Sequence, residues 1–111
     1  MPKPKIFGDY DLPYGVACIV KAVCADYERR KKAITLGKVN GFVLQQYSIF
    51  NTAIDKTLQS VDPGLRVDLM RDLANGSGYN FSQASPYMAK NTYYRYKKKF
   101  LYELSIELHL L

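Results

Sequence analysis

Lys90-Asn91-Thr92-Tyr93-Tyr94-Arg95-Tyr96-Lys97-Lys98-Lys99-Phe100 sets four aromatic rings among five cationic side chains. The residues that follow, to Leu111, continue the apolar spacing without Gly or Pro, so the stretch reads as the first half of one long C-terminal helix rather than a loose tail. At helical periodicity Tyr93, Tyr96, Phe100, Leu104 and Leu108 share one stripe, which is the expected inward face. Asn91, Arg95, Lys98 and Tyr102 project the other way, with Tyr94 and Lys99 at the margins. The outward face is therefore expected to be basic and aromatic.

Working back along the chain, Val16, Ile19, Val20, Val23, Cys24 and Tyr27 recur every three or four residues, predicting one helix from about Tyr14 to Leu36 with Gly37 as its stop. Val43, Leu44, Tyr47, Phe50, Ala53, Ile54, Thr57 and Leu58 predict a second helix over Phe42 to Ser60. The short connection makes these two antiparallel neighbours. Asp62-Pro63-Gly64 supplies an acidic N-cap and a first-turn proline for a third helix, with Leu65, Val67, Leu69, Met70 and Leu73 as its apolar residues and an end at Asn75-Gly76. Asp68 and Asp72 are expected on its exposed face, alternating with Arg66 and Arg71. After the breaker cluster Asn75-Gly76-Ser77-Gly78, a short helix or turn near Ser82 to Tyr87 precedes the last helix, and Pro86 interrupts anything longer.

The expected fold is all-α: a small bundle of four to five helices closed by a helix-turn-helix-like unit whose second helix is long and amphipathic. Pro2, Pro4, Gly8 and Pro13 make residues 1–12 an extended arm. Residues 13–111 form a single helical domain, with 13–76 as scaffold and 79–111 as the helix-turn-helix-like part. A chain of 111 residues, 48% hydrophobic, can bury one modest core.

A formal net charge of +6 favours a polyanionic partner, since a basic face gains affinity by releasing counterions condensed on phosphate. Between Lys90 and Lys99 there is no acid, and a bare cationic helix face repels itself unless something negative lies opposite. Double-stranded DNA is the expected partner. A helix-turn-helix would place Asn91, Tyr94, Arg95 and Lys98 at or near base edges, with Arg95 able to fork onto guanine and Asn91 onto adenine. Lys90, Thr92, Lys97 and Lys99 would hold phosphates. Arg29, Arg30, Lys31 and Lys32 form a weaker second basic patch, although cations near a helix C-terminus also complement its dipole.

Cys18 and Cys24, six residues apart, point to different sides of a helix and read as small core thiols in a reducing cytosol. One His, two Cys and no CxxC argue against a metal site. No cofactor motif is present, and Asn75-Gly76-Ser77-Gly78 lacks the lysine and the preceding strand of a phosphate loop. Usable catalytic spacings are missing too, with His109 standing alone as a surface residue, so a non-enzymatic protein is expected. No membrane span or signal peptide is legible, which points to the cytoplasm.

The basic aromatic run Lys90 to Phe100 with its Leu-rich continuation resembles the C-terminus of small phage and prophage transcriptional regulators of the RinA and ArpU type, themselves regarded as similar to the region-four helix-turn-helix of sigma factors. The likeness covers the last third of the chain. It implies a sequence-specific DNA-binding regulator of late genes in a bacterial host cell. Host RNA polymerase and a second copy of the chain are further candidate partners, the latter through the N-terminal helices. Two alternatives share these features: a DNA-packaging protein like a small terminase subunit, and a phage module that binds a host protein complex through its tyrosine-rich surface.

Overall fold

Asp26 breaks what periodicity reads as one helix. The computed structural model, which describes residues 10–79 and 88–111, divides this segment into α1 (Tyr14–Ala25) and α2 (Tyr27–Thr35). At the break Asp26 takes φ −96° and ψ 5°, outside the helical well. Its carboxylate receives a forked pair of hydrogen bonds from Arg29, Nε at 2.6 Å and Nη2 at 2.5 Å. Arg30 turns inward instead, donating from Nη2 to the Val23 carbonyl at 2.5 Å and from Nε to Asn51 Oδ1 at 2.8 Å. Arg30 thus occupies the Val23 carbonyl, the acceptor that continuous helix would offer to the Tyr27 N–H, beside the bend.

The next helix, α3 (Gly41–Leu58), packs antiparallel on α2 through polar and aromatic groups. The Arg29 guanidinium lies 5.3 Å from the centroid of Tyr47, and that of Arg30 5.5 Å from Phe50. Tyr27 Oη donates to Asp55 at 2.6 Å, and Asn51 Nδ2 to the Tyr27 carbonyl at 3.2 Å. The apolar stripe expected along all of α3 is buried only in its second half, where Ala53, Ile54 and Thr57 face the bundle. Phe42 and Val43, at the start of α3, stand exposed.

Asp62 caps α4 (Pro63–Asn75) as expected, its carboxylate accepting from the Gly64 N–H at 2.8 Å. Gly76 ends the helix at φ 70°, a left-handed conformation that suits glycine. Leu65, Leu69 and Leu73 from α4 join Val20 and Cys24 from α1, Ala53 and Ile54 from α3, and Tyr93, Phe100, Leu101 and Leu104 from α5 (Lys90–Glu107) in one core. The described residues contain no strand, so the all-α bundle is the architecture found. Among these helices none is long and apolar enough to cross a membrane.

Several residues lie elsewhere than the periodicity implies. Ile19 and Val67 are exposed, as is Cys18, so only Cys24 of the two thiols belongs to the core. Burial pushes the Cys24 thiol up to about 12, keeping it neutral. Most of the expected arm, residues 1–9, and the short element near Ser82 to Tyr87 lie outside the described residues.

α5 closes in a left-handed turn on a residue other than glycine. His109 takes φ 58°, while its N–H reaches the Ile106 carbonyl at 3.0 Å and that of Leu110 reaches Ser105 at 2.8 Å. These are the paired bonds of a Schellman motif, whose left-handed position costs a side chain about 1–2 kcal/mol. His109→Gly should therefore stabilise the chain by about 0.5–1 kcal/mol, seen as a raised urea midpoint. Arg30→Ala should cost about 2–4 kcal/mol, because it strands the Asn51 and Val23 acceptors; a loss under about 1 kcal/mol would mean the bend does not depend on it.

Candidate nucleic-acid interface

Tyr93, fully buried at the first turn of α5, donates its hydroxyl to Asp72 Oδ2 of α4 at 3.0 Å. Burial, with the Asp72 charge second, holds the Tyr93 phenol well above its ordinary range, so it stays a donor. Lys97, one turn further on, places Nζ 3.0 Å from the same carboxylate oxygen. The Gly78 N–H completes the set, reaching Asp72 Oδ1 at 3.1 Å. Asp72 is 3% exposed, so this carboxylate is a buried joint between α4, its following turn and α5.

This joint overturns two expectations. Asp68 and Asp72 are buried rather than solvent-facing, each 3% exposed. The leucines at i, i+4 and i+8 define only the centre of the packed face, which extends to the positions three and seven residues on: α1 packs on α4, and Tyr93 and Lys97 of α5 reach Asp72. Lys97, expected to hold a phosphate, is placed against the Asp72 carboxylate, with Nζ also 5.7 Å from the Tyr94 ring. Tyr96 is displaced from the inward stripe as well, being 40% exposed, and Leu101 and Ser105 are buried beside Phe100 and Leu104.

The acid-free run from Lys90 to Lys99 also has negative charge opposite it within the chain. Asp72 comes from α4, Asp11 forms an ion pair with Lys98 from the segment before α1, and Glu103 stands 3.9 Å from Lys99 one turn along. Self-repulsion along α5 therefore does not by itself call for an external polyanion.

What α5 presents outward is Lys90, Asn91, Tyr94, Arg95 and Lys98, all exposed and spaced to lie along one side of the first three turns. Thr92 and Lys99 are half-buried at the edges. Tyr94 is also structural. Its ring meets Tyr93 edge-on at 5.3 Å and its hydroxyl accepts from the Tyr79 N–H at 3.2 Å. A side chain at Gly78, where φ is 70°, would start 3.1 Å from that hydroxyl, which explains glycine there. Tyr79 in turn donates to the Met88 carbonyl, tying the turn to the start of α5.

Of the weaker second basic patch, Arg30 is 3% exposed, while Arg29, paired with Asp26, and Lys31 and Lys32 are exposed, Lys31 lying 5.9 Å from the Tyr27 ring. Among the described residues no group of three or more His, Cys, Asp or Glu could hold a metal ion. Compared with known proteins, the chain matches no family model, no curated sequence and no solved structure.

Sequence reading missed the Asp72 joint, although a signal existed. Two acids stand three residues after leucines in Leu65-x-x-Asp68-Leu69-x-x-Asp72-Leu73, which at helical spacing sets them beside the leucine stripe rather than opposite it. Asp72→Ala should cost about 2–4 kcal/mol in urea unfolding, since it strands a phenol, an amide and a half-buried ammonium. Asp72→Asn, which keeps two of the three acceptor contacts, should cost less than half as much; equal losses would put the weight on the ion pair alone.

Proposed function

We propose that this chain is a non-enzymatic, sequence-specific DNA-binding protein that lays the first half of α5 along the major groove of a duplex. The observation that carries this reading is the exposed arc of Lys90, Asn91, Tyr94, Arg95 and Lys98 on a helix held rigid from behind by buried Tyr93 and Phe100. Arg and Asn on such an arc match the bidentate edges of guanine and adenine, and the lysines around them suit phosphate. The net charge of +6 adds long-range attraction to a polyanion. The resemblance of this stretch to phage regulators of the RinA and ArpU type makes transcriptional control the role we favour.

A second reading has its own support. Leu36, Phe42 and Val43 are 55%, 71% and 45% exposed around the connection from α2 to α3, and they form an apolar end to the hairpin. Phe42 lies about four turns, roughly 21 Å along α3, from Lys56, which pairs with Glu107 at the far end of α5. That end could bind a protein while α5 binds DNA, or serve alone as a protein-binding module.

The test begins with duplexes selected from a randomised pool. Arg95→Ala should weaken binding to the selected site by about 1–3 kcal/mol while changing random-duplex binding little. Lys90→Ala should weaken both alike and lower the salt slope by about 1. If both variants bind every duplex like the parent, α5 is not the reading element. Capture of a host protein that survives nuclease and high salt, and is lost in Phe42→Ser, would favour the second reading.

A further inference from the structure

The segment before α1 does more than lead into it. Tyr10 meets Tyr102 of α5 edge-on, with centroids 5.3 Å apart and planes at 73°, and Leu12 packs against the core. Between these two anchors Asp11 is pinned against α5, where its carboxylate pairs with Lys98 although its own side chain is 70% exposed. Beneath lies a cleft of about 320 Å³ between α1 and α5, lined by Lys21, Lys97 and Lys98 together with Tyr94 and Leu101. Lys97 is held by Asp72, so among the described residues Asp11 is the one carboxylate lining a cleft whose other two ammonium groups belong to Lys21 and Lys98. Among the described residues Lys21, on α1, has no ion-pair partner.

We propose that this cleft is a phosphate-binding site, formed by Lys21 of α1 and Lys98 of α5, in which Asp11 stands in for a backbone phosphate of duplex DNA until the duplex displaces it. The proposal rests on the DNA-binding reading above and adds α1 and the Asp11 segment to the interface. Three features support it. Its cationic groups come from two helices fixed by a shared core, so their spacing is set before the ligand arrives. The pair with Asp11 is solvent-exposed and therefore weak, which makes its exchange for a phosphate nearly neutral in free energy. The cleft also adjoins Tyr94 and Lys98, so a duplex lying on the exposed arc of α5 would bring a phosphate to its mouth.

The exchange predicts opposite effects from two surface substitutions. Asp11→Asn, which removes the competing carboxylate, should tighten duplex binding about threefold, the size of one exposed ion pair. Lys21→Gln should weaken it about threefold to tenfold and lower the salt slope by about 1, as expected for one lost phosphate contact. Both are read by fluorescence anisotropy with a labelled duplex at several salt concentrations, and amide spectra verify that each variant is folded. Inorganic pyrophosphate is titrated in parallel, following the amide resonances of residues 11, 21 and 98. If Asp11→Asn and Lys21→Gln bind duplex like the parent while Arg95→Ala does not, the cleft proposal is overturned and the α5 reading stands. If no duplex binds but pyrophosphate shifts these three residues, more strongly in Asp11→Asn and less in Lys21→Gln, the anion site is supported and the duplex reading fails. Silence in both titrations overturns the cleft.

Discussion

The carboxylate of Asp72 sets the orientation of α5, and with it the face of that helix left open to a partner. Placing a carboxylate at 3% exposure costs several kcal/mol in lost hydration, which only well-directed donors can offset. Here the donors come from three places: the Tyr93 phenol, the Lys97 ammonium and the Gly78 amide. Because each has its own required direction, α5 cannot roll about its axis or slide along α4 without leaving one unsatisfied. The turn after α4 is fixed by the same demand, since Gly78 must aim its N–H at Asp72 while leaving room for the Tyr94 hydroxyl. One acidic residue on α4 thereby settles which face of α5 remains outside.

Helix order and several helix boundaries were legible because they depend on local chemistry. Asp62 with Pro63, Gly37 and Gly76 mark boundaries where they were expected, and leucine spacing in α4 and α5 located much of the core. Less legible were the features that depend on two segments at once. Nothing within Tyr14 to Leu36 reveals that Arg30 will turn inward to Asn51 of α3, and so the bend at Asp26 was hidden. The exposure of Ile19, Val43 and Val67 was hidden for the same reason: a stripe states which residues could be buried, and neighbours decide which are. The candidate interface was partly legible. Its exposed members Asn91, Arg95 and Lys98 follow from helical angle alone, whereas Tyr102, expected on the same face, is half-buried against Tyr10, and the commitment of Lys97 required knowing that Asp72 lies across from it.

The cations of α5 consequently fall into ranks that the bare sequence does not distinguish. Lys97 pairs with a carboxylate that has no route to water, so moving it to a phosphate would leave a buried charge unbalanced at a cost of several kcal/mol. Lys98 and Lys99 have partners, Asp11 and Glu103, that remain substantially hydrated, and such pairs are worth between zero and about 1 kcal/mol. Either can exchange an intramolecular carboxylate for an external phosphate at little net cost. Basic runs are commonly treated as uniform charge, but here burial of the opposing acid, rather than exposure of the lysine, separates a structural cation from an available one.

That distinction also bears on selectivity. An internal acid opposite an exchangeable lysine lowers the affinity for any polyanion by a similar factor, yet it leaves untouched the hydrogen bonds that Asn91 or Arg95 could make to base edges. Weakening the sequence-independent part of binding while retaining the sequence-dependent part raises the ratio between them, which governs how a regulator distributes itself over a genome. Under the proposed DNA-binding reading, Asp11 and Glu103 would act in that sense on two of the three consecutive lysines, while the seat at Asp72 holds the exposed arc of α5 in place. If α5 meets a duplex as proposed, the exposed carboxylate of Asp11 and the half-buried one of Glu103 beside its cations would favour discrimination at the expense of raw affinity.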